Sequence, residues 1–298
     1  MTLSLDGIFG AETTPFDARG DVDADAFAAN IRAHLAAGFA GIVVAGSTGE
    51  AALLSEAERA ALVDCARGAV PSDRAVIVGT GAESTRATIA LTRRAAAAGA
   101  DAVLVVAPHY YGPSMTADVL LTHYRAVADA SPVPVILYSI PKYMHFALPA
   151  TVVADLAMHE NIIGIKDSSG NRDLLSGYLE AASADFAVLT GSGSLLRHAL
   201  ESGARGGILG VALFAPTPAV DVFTAVRAGD AETGARLQER LTPLNATIVS
   251  ELGVAGVKAA LTLVGLAGGP LRPPLMALPP EQVARVATVL RSAELVGA

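Results

Sequence analysis

Eight short apolar segments alternate with alanine-rich helical segments along most of the chain. Each apolar segment is continuous rather than interrupted by polar residues, which is typical of parallel strands covered on both faces. Eight repeats of one strand-helix unit predict an α/β fold, the (β/α)8 TIM barrel. A doubly wound open sheet is the alternative, but eight near-equal units favour a closed barrel. The predicted strands are residues 7–9, 41–45, 75–78, 102–106, 135–138, 162–166, 187–190 and 207–211.

The helical segments begin at residues whose side chains can cap a helix. Asp23, Ser84 and Thr116 each precede one such segment. Ser55 opens another, with Glu58 three residues later in a near capping-box pattern. These caps mark where the strand-helix units change from loop to helix.

The pattern changes at about residue 230, where strand segments give way to helices alone. The predicted helices are 231–252, 254–266 and 280–293, separated by Gly-Gly-Pro and Pro-Pro breaks. No long linker or low-complexity stretch precedes them. We therefore expect a barrel over residues 1–229 and a C-terminal helical extension over 230–298 that packs on the barrel.

Composition excludes several classes of protein. With 52% hydrophobic residues, the chain can bury enough surface to fold rather than stay disordered. Its apolar runs fall far short of the roughly 20 residues of a membrane-spanning helix, and a net charge of −8 argues against nucleic acid as a partner. The single cysteine, Cys65, excludes an internal disulfide, and no export signal is visible. We expect a cytoplasmic protein that binds neither membranes nor nucleic acid.

Lysine is rare in this chain, since 18 of the 21 basic residues are arginine and the lysines are Lys142, Lys166 and Lys258. Lys166 ends the sixth predicted strand, at the barrel end where catalytic groups gather, on the same strand face as Ile162 and Gly164. A poorly solvated ammonium there should have a pKa below the usual value of about 10.4, so that the neutral amine could form a Schiff base with a ketone. Arginine can neither lose its proton near neutral pH nor form an imine. On position alone, a lysine that reaches solvent or pairs with Asp167 is an equal alternative.

Two neighbouring strand exits carry hydroxyl groups. Tyr138 ends the fifth strand, where its hydroxyl could relay protons or its ring could simply fill the barrel. Ser47-Thr48-Gly49 follows the second strand and offers two hydroxyls and several N–H groups to a carboxylate or phosphate. The histidines show no metal-site spacing, and a site built from His109 and His145 is a minor alternative.

Four motifs together resemble the dihydrodipicolinate synthase / N-acetylneuraminate lyase family. They are Gly46-Ser47-Thr48-Gly49-Glu50, Tyr110-Tyr111, Tyr138-Ser139-Ile140-Pro141 and Gly164-Ile165-Lys166-Asp167, and the resemblance covers nearly the whole chain. It implies a (β/α)8 barrel with a helical extension, assembled as a homotetramer (a dimer of dimers). It also implies class I aldolase chemistry on pyruvate and an aldehyde, with no metal and no cofactor.

The same resemblance implies a role for each matching residue. Lys166 is the Schiff-base lysine and Tyr138 the general acid and base. Ser47 and Thr48 hold the substrate carboxylate, and Ser47 also takes part in a proton relay that Tyr111 completes from the adjacent subunit. The remaining substrate-binding positions are Ile208, whose backbone carbonyl faces the lysine, and Ser168.

One departure from the family pattern concerns the second substrate. Synthases that use aspartate semialdehyde carry arginine in a Y-N-x-P-x-R pattern, whereas this chain has Tyr143 there and Ser139 in place of asparagine. Without that arginine a bidentate grip on a carboxylate is lost. By contrast, four stretches resemble the 4-hydroxy-2-oxoglutarate aldolase branch of the family: Tyr138-Ser139, Lys166-Asp167-Ser168, Glu83-Ser84-Thr85 and Gly253-Val254-Ala255-Gly256-Val257-Lys258. This resemblance implies, as the first expectation, retro-aldol cleavage of a 4-hydroxy-2-oxo acid such as 4-hydroxy-2-oxoglutarate. The alternatives are 4-hydroxy-tetrahydrodipicolinate synthase activity and a non-catalytic 2-oxo acid sensor.

Overall fold

The computed structural model describes residues 3–297 and contains a closed barrel of eight parallel strands. Each strand pairs with the next, and the eighth pairs with the first to close the ring. The predicted barrel is therefore confirmed and the open sheet is wrong. The strands are β1 (Gly7–Ala11), β2 (Gly41–Val44), β3 (Ala75–Gly79), β4 (Ala102–Val106), β5 (Val135–Ser139), β6 (Ile162–Asp167), β7 (Ala187–Thr190) and β8 (Gly206–Leu209).

Helices surround the barrel and then continue beyond it. Those between and after the strands are α1 (Ala24–Ala36), α2 (Glu56–Ala69), α3 (Thr85–Ala97), α4 (Ala117–Ala130), α5 (Pro141–Met144), α6 (Ala150–Leu156), α7 (Arg172–Leu179), α8 (Leu196–Glu201) and α9 (Pro216–Arg227). The extension contributes α10 (Ala231–Leu244), α11 (Gly253–Leu263) and α12 (Pro280–Ser292). Over residues 3–297, none of these helices is long and apolar enough to cross a bilayer.

The predicted helix caps are present. The Asp23 side chain accepts a hydrogen bond from the Ala26 N–H, and Ser55 forms a full capping box with Glu58. At the starts of α3 and α4, the Ser84 and Thr116 side chains each accept one hydrogen bond from a backbone N–H of the first helical turn. These caps stop each loop and start each helix at a defined residue, which fixes where the strand exits lie.

Glycines allow neighbouring strands to approach closely at the seams of the barrel. A Cβ atom at Gly206 of β8 would lie 2.0 Å from the Gly7 carbonyl oxygen of β1. One at Gly41 of β2 would lie 2.5 Å from the Ala75 carbonyl oxygen of β3. Larger residues at these positions would push the strands apart, so these glycines serve packing rather than flexibility.

Helical structure covers residues 231–251, close to the expected 231–252, but the type of helix changes within this segment. α10 ends at Leu244, a π-helical turn covers Asn245–Glu251, and α11 begins at Gly253, whose φ is +64°. Pro243 lies in the last turn of α10 and has no N–H to continue the α-helical pattern, which favours a wider turn after it. The widened turn presents Asn245 to the barrel, where its Oδ1 accepts a hydrogen bond from the Gly193 N–H at 3.1 Å.

Candidate active site

A cavity of about 210 Å³ lies at the C-terminal ends of the strands. It brings together six of the seven residues singled out from the sequence. They are Ser47, Thr48, Tyr138, Lys166, Ser168 and Ile208. These residues come from the exits of β2, β5, β6 and β8, so the barrel rather than any local motif assembles the site.

Lys166 is buried in this cavity, with 5% of its surface exposed. Burial lowers the pKa of its ammonium to about 7, because a charged amine there loses its hydration. Its Nζ atom lies 4.4 Å from the ring centroid of Tyr138, its register partner on β5. The neighbouring Asp167 is engaged elsewhere, since both the N–H and the hydroxyl of Ser169 donate to its carboxylate at 2.9 Å. A solvent-exposed lysine is therefore the wrong alternative.

Gly191 makes room for the Lys166 side chain, a role that the sequence did not reveal. A Cβ atom at Gly191 would lie 1.9 Å from the Ser168 Oγ and 3.1 Å from the Lys166 Cε. Any side chain here would displace the amine or the Ser168 hydroxyl. Its signal in the sequence was its position directly after β7, one strand along from the lysine.

Tyr138 lies beside Lys166 with 4% of its surface exposed. Burial raises the pKa of its phenol, and hydrogen bonding with the Ser47 and Ser168 side chains partly offsets that rise. Ser47, Ser168 and Tyr138 thus bring three hydroxyls to the cavity that also contains the lysine amine. These hydroxyls can pass a proton to or from a substrate atom bound between the lysine and the tyrosine.

The loop after β2 holds Ser47 and Thr48 in a tight turn. The Gly49 N–H donates to the Gly46 carbonyl at 3.0 Å, and the buried Thr14 hydroxyl donates to the Gly49 carbonyl at 2.7 Å. Ser47 and Thr48 line the cavity in this turn, and their hydroxyls are groups that can donate hydrogen bonds to a carboxylate.

Tyr111 lies outside the cavity of its own chain. It is 67% exposed and packs edge to face against Tyr110, with ring centroids 5.0 Å apart. Within a single chain, Tyr111 therefore stays apart from the other six residues.

The C-terminal extension forms one wall of the cavity, a contribution that sequence reasoning missed. Asn245, Ser250, Gly253 and Val254 all line it. Their contacts with the strand exits depend on how the π-helical turn folds back onto the barrel, and no local sequence pattern signals that arrangement.

Comparison with known proteins identifies the family. Residues 4–293 match the Dihydrodipicolinate synthetase family. The chain belongs to this family. It is therefore a carbon–carbon lyase that works through a Schiff base on pyruvate and an aldehyde.

The similarity to individual members covers almost the full length of both chains. A 4-hydroxy-tetrahydrodipicolinate synthase of Methanothrix thermoacetophila is 38% identical over 289 residues, which cover 95% of each chain. The crystal structure of a dihydrodipicolinate synthase from Bacillus anthracis superposes with a TM-score of 0.93 at 30% identity and covers 98% of this chain and 99% of its own. The chloride-inhibited dihydrodipicolinate synthase of Acinetobacter baumannii, complexed with pyruvate, gives 0.93 at 31% identity, with coverage of 98% and 100%.

Two side chains depart from the Y-N-x-P-x-R pattern of dihydrodipicolinate synthases, Ser139 at the end of β5 and Tyr143 in α5. Tyr143 lines the cavity where an arginine was expected, and burial together with the nearby Tyr138 raises the pKa of its phenol. Lys142, one residue earlier, lines the same cavity. Ser139 is fully buried and structural, because its hydroxyl accepts hydrogen bonds from the Leu148 N–H at 3.3 Å and the Tyr178 hydroxyl at 3.2 Å.

A second, wider cavity of about 690 Å³ adjoins the first and shares Ser47, Tyr138, Lys142 and Tyr143 with it. It extends to His109, whose Nδ1 lies 3.2 Å from the Glu83 Oε1. Within residues 3–297, no cluster of three or more His, Cys, Asp or Glu side chains suits a metal ion.

Proposed function

We propose that this protein condenses pyruvate with aspartate semialdehyde, as a 4-hydroxy-tetrahydrodipicolinate synthase. The observation that carries the proposal is the buried Lys166 amine, with a pKa of about 7, beside the Tyr138 hydroxyl group. The synthase name of the Methanothrix relative and the pyruvate complex of the Acinetobacter relative support the substrates. They favour synthase activity over the first expectation, a 4-hydroxy-2-oxoglutarate aldolase.

The chemistry follows from the arrangement of these groups. The neutral Lys166 amine adds to the pyruvate ketone, and loss of water leaves an iminium ion. A proton from the methyl group then passes to the three neighbouring hydroxyls of Tyr138, Ser47 and Ser168, and the iminium becomes an enamine. The enamine carbon attacks the aldehyde, and Tyr138 protonates the new alkoxide. The α-amino group of the condensed semialdehyde, after losing a proton, then attacks the iminium carbon and expels the Lys166 amine, which closes the ring of the product and frees the lysine. Ser47 and Thr48 hold the pyruvate carboxylate throughout, and the Ile208 carbonyl faces the lysine.

Cleavage of 4-hydroxy-2-oxoglutarate to pyruvate and glyoxylate is the second candidate, and Tyr143 is the observation that favours it. A phenol cannot grip the semialdehyde carboxylate as the guanidinium of a synthase does. The imine chemistry is the same, because cleavage reverses the carbon–carbon step and uses the same lysine and tyrosine.

The proposal includes a neighbouring copy of the chain. Tyr111 is exposed and remote from its own cavity, so it would complete the hydroxyl relay of an adjacent subunit within a tetramer made of two dimers. The extension after residue 229 belongs to the same unit as the barrel, since it supplies a wall of the site. A cytoplasmic location suits this assignment. A sensor without catalysis would have no use for the amine, the phenol and the hydroxyls together.

Borohydride reduction in the presence of pyruvate tests the Schiff base. We expect the mass of one reduced pyruvate on Lys166 and none in Lys166→Met. Turnover with aspartate semialdehyde and with 4-hydroxy-2-oxoglutarate then separates the two candidates. Tyr143→Arg should improve use of the semialdehyde. A wild-type protein that pyruvate and borohydride leave unlabelled would overturn the proposal.

A further inference from the structure

Lys142 lies at the mouth of the active site in a fixed position. It belongs to α5, the short helix directly after β5, and its Nζ donates to the Ser250 carbonyl of the π-helical turn at 2.7 Å. The Nζ atom also lies 5.8 Å from the ring centroid of Tyr143. The side chain is exposed, yet this hydrogen bond draws it across the opening between the barrel and the C-terminal extension.

Two positively charged side chains line the smaller cavity, and the imine chemistry uses only one of them. Among the described residues that line the 210 Å³ cavity, the charged side chains are Lys142 and Lys166. Lys166 is committed to the imine, and burial lowers its pKa to about 7. Lys142 therefore provides a second cation, which takes no part in imine formation.

The surroundings of Lys142 favour an anion. An ammonium has three donors, and the Ser250 carbonyl takes one, which leaves others for a ligand. Glu251 lines the wider cavity nearby, but its carboxylate is occupied by Arg285, with Nη2 and Oε2 2.7 Å apart. Lys142 lines both cavities and so lies where the two meet.

We propose that Lys142 binds the carboxylate of the second substrate and thereby selects aldehydes that carry an acid group. The inference deepens the proposed function and rests on it, because it assumes that pyruvate forms the imine at Lys166. It also accounts for Tyr143, since a cation one residue earlier can take the place of the arginine of the family pattern. The site recognises the carboxylate itself, whether aspartate semialdehyde or the glyoxylate end of 4-hydroxy-2-oxoglutarate supplies it.

A matched pair of 2-oxo acids tests this directly. 2-Oxoglutarate and 2-oxopentanoate differ only in a terminal carboxylate or methyl group, and both can form an imine that borohydride traps. We expect Lys142→Met to lower the trapping ratio of 2-oxoglutarate to 2-oxopentanoate about tenfold, the effect of one solvent-accessible charge-assisted hydrogen bond. Lys142→Arg should keep the preference. Arg172→Met, which removes an exposed cation from the start of α7 outside both cavities, serves as the charge-matched control.

The outcomes separate the inference from the proposed function. If the wild-type protein traps no pyruvate, the proposed function fails. If it traps pyruvate normally and Lys142→Met leaves the ratio unchanged, or Arg172→Met lowers it equally, only the inference is overturned. With whichever second substrate turns over, Lys142→Met should raise its KM about tenfold and leave pyruvate trapping unchanged. A merely structural role would instead lower pyruvate trapping and thermal stability together.

Discussion

The lowered pKa of Lys166 makes a quantitative prediction about imine formation. With a pKa of about 7, roughly half of the amine is neutral at pH 7. With the usual pKa near 10.4, about one molecule in 2,500 would be neutral at that pH. Burial therefore supplies about a thousandfold more nucleophile at neutral pH. The rate of imine formation with saturating pyruvate should rise about tenfold per pH unit below pH 6, with a midpoint near 7, and level off by about pH 8.

Tyr138→Phe separates the effect of burial from that of proton transfer. The phenylalanine ring keeps the Lys166 amine covered, so the midpoint should stay near 7. Loss of the hydroxyl removes the group that moves protons, so the plateau rate should fall about a hundredfold. The assay is rapid mixing of enzyme with pyruvate at a series of pH values, followed by borohydride quenching and mass measurement of the labelled chain.

Two results would refute this reasoning. A wild-type midpoint above pH 9 would mean that the amine keeps its hydration and that burial does not activate it. A midpoint that moves in Tyr138→Phe by more than one pH unit would mean that the tyrosine hydroxyl, rather than burial, sets the pKa of the lysine.

Three further predictions concern stability, each measured by urea unfolding. Lys166→Met should stabilise the protein by about 4 kcal/mol at pH 7 and by about 1 kcal/mol at pH 9.5. Between pH 7 and about 10.4, the lowered pKa means that Lys166 binds more protons in the unfolded chain than in the folded one, so wild-type stability rises with pH. The advantage of the methionine variant therefore shrinks as the pH rises, and an equal gain at both pH values would contradict this reasoning. Lys258→Met should cost about 3 kcal/mol by leaving the buried Glu50 carboxylate without its cation, and adding Glu50→Gln should recover much of that loss; a double variant as unstable as the single one would count against the pair. Gly206→Ala should cost about 3 kcal/mol because its Cβ would meet the Gly7 carbonyl, whereas Gly68→Ala, with open space on the exposed face of α2, should gain about 0.5 kcal/mol; equal effects would refute the close approach.

The barrel and the place of Lys166 at a strand exit could be predicted because the signals for both are local. Continuous apolar segments recur between capped helices, and Ser55 with Glu58 forms the capping box that the spacing indicates. Lys166 stands at the end of such a segment, where strand alternation puts it on the same face as Gly164. The sequence left open whether that face is the inner one, and the burial of Lys166 in the structure decides it. The same local logic placed Tyr138 beside it, and the register of β5 against β6 pairs the two residues.

The rest of the site depends on contacts between distant parts of the chain. Asn245 lies 51 residues from Ser194, to which its Nδ2 donates at 3.0 Å, and a helical segment gives no sign of which strand exit it will meet. Gly191 looks like any turn glycine until the Lys166 Cε is placed against it. The position of Lys142 could not be predicted because its carbonyl partner, Ser250, is 108 residues away in the sequence.

The third lysine shows why arginine does not replace lysine here. Lys258 is 2% exposed, contacts Glu50, donates to the Pro270 carbonyl at 2.7 Å and lies 4.5 Å from the Phe16 ring centroid. The guanidinium of Arg272 already lies 4.2 Å from that ring centroid, and the backbone N–H of Arg272 donates to the Glu50 carboxylate at 2.9 Å. A compact ammonium fits the remaining space, where a second planar guanidinium would need more donors satisfied. Because Glu50 directly follows the loop of Ser47 and Thr48, Lys258 holds that turn against the extension.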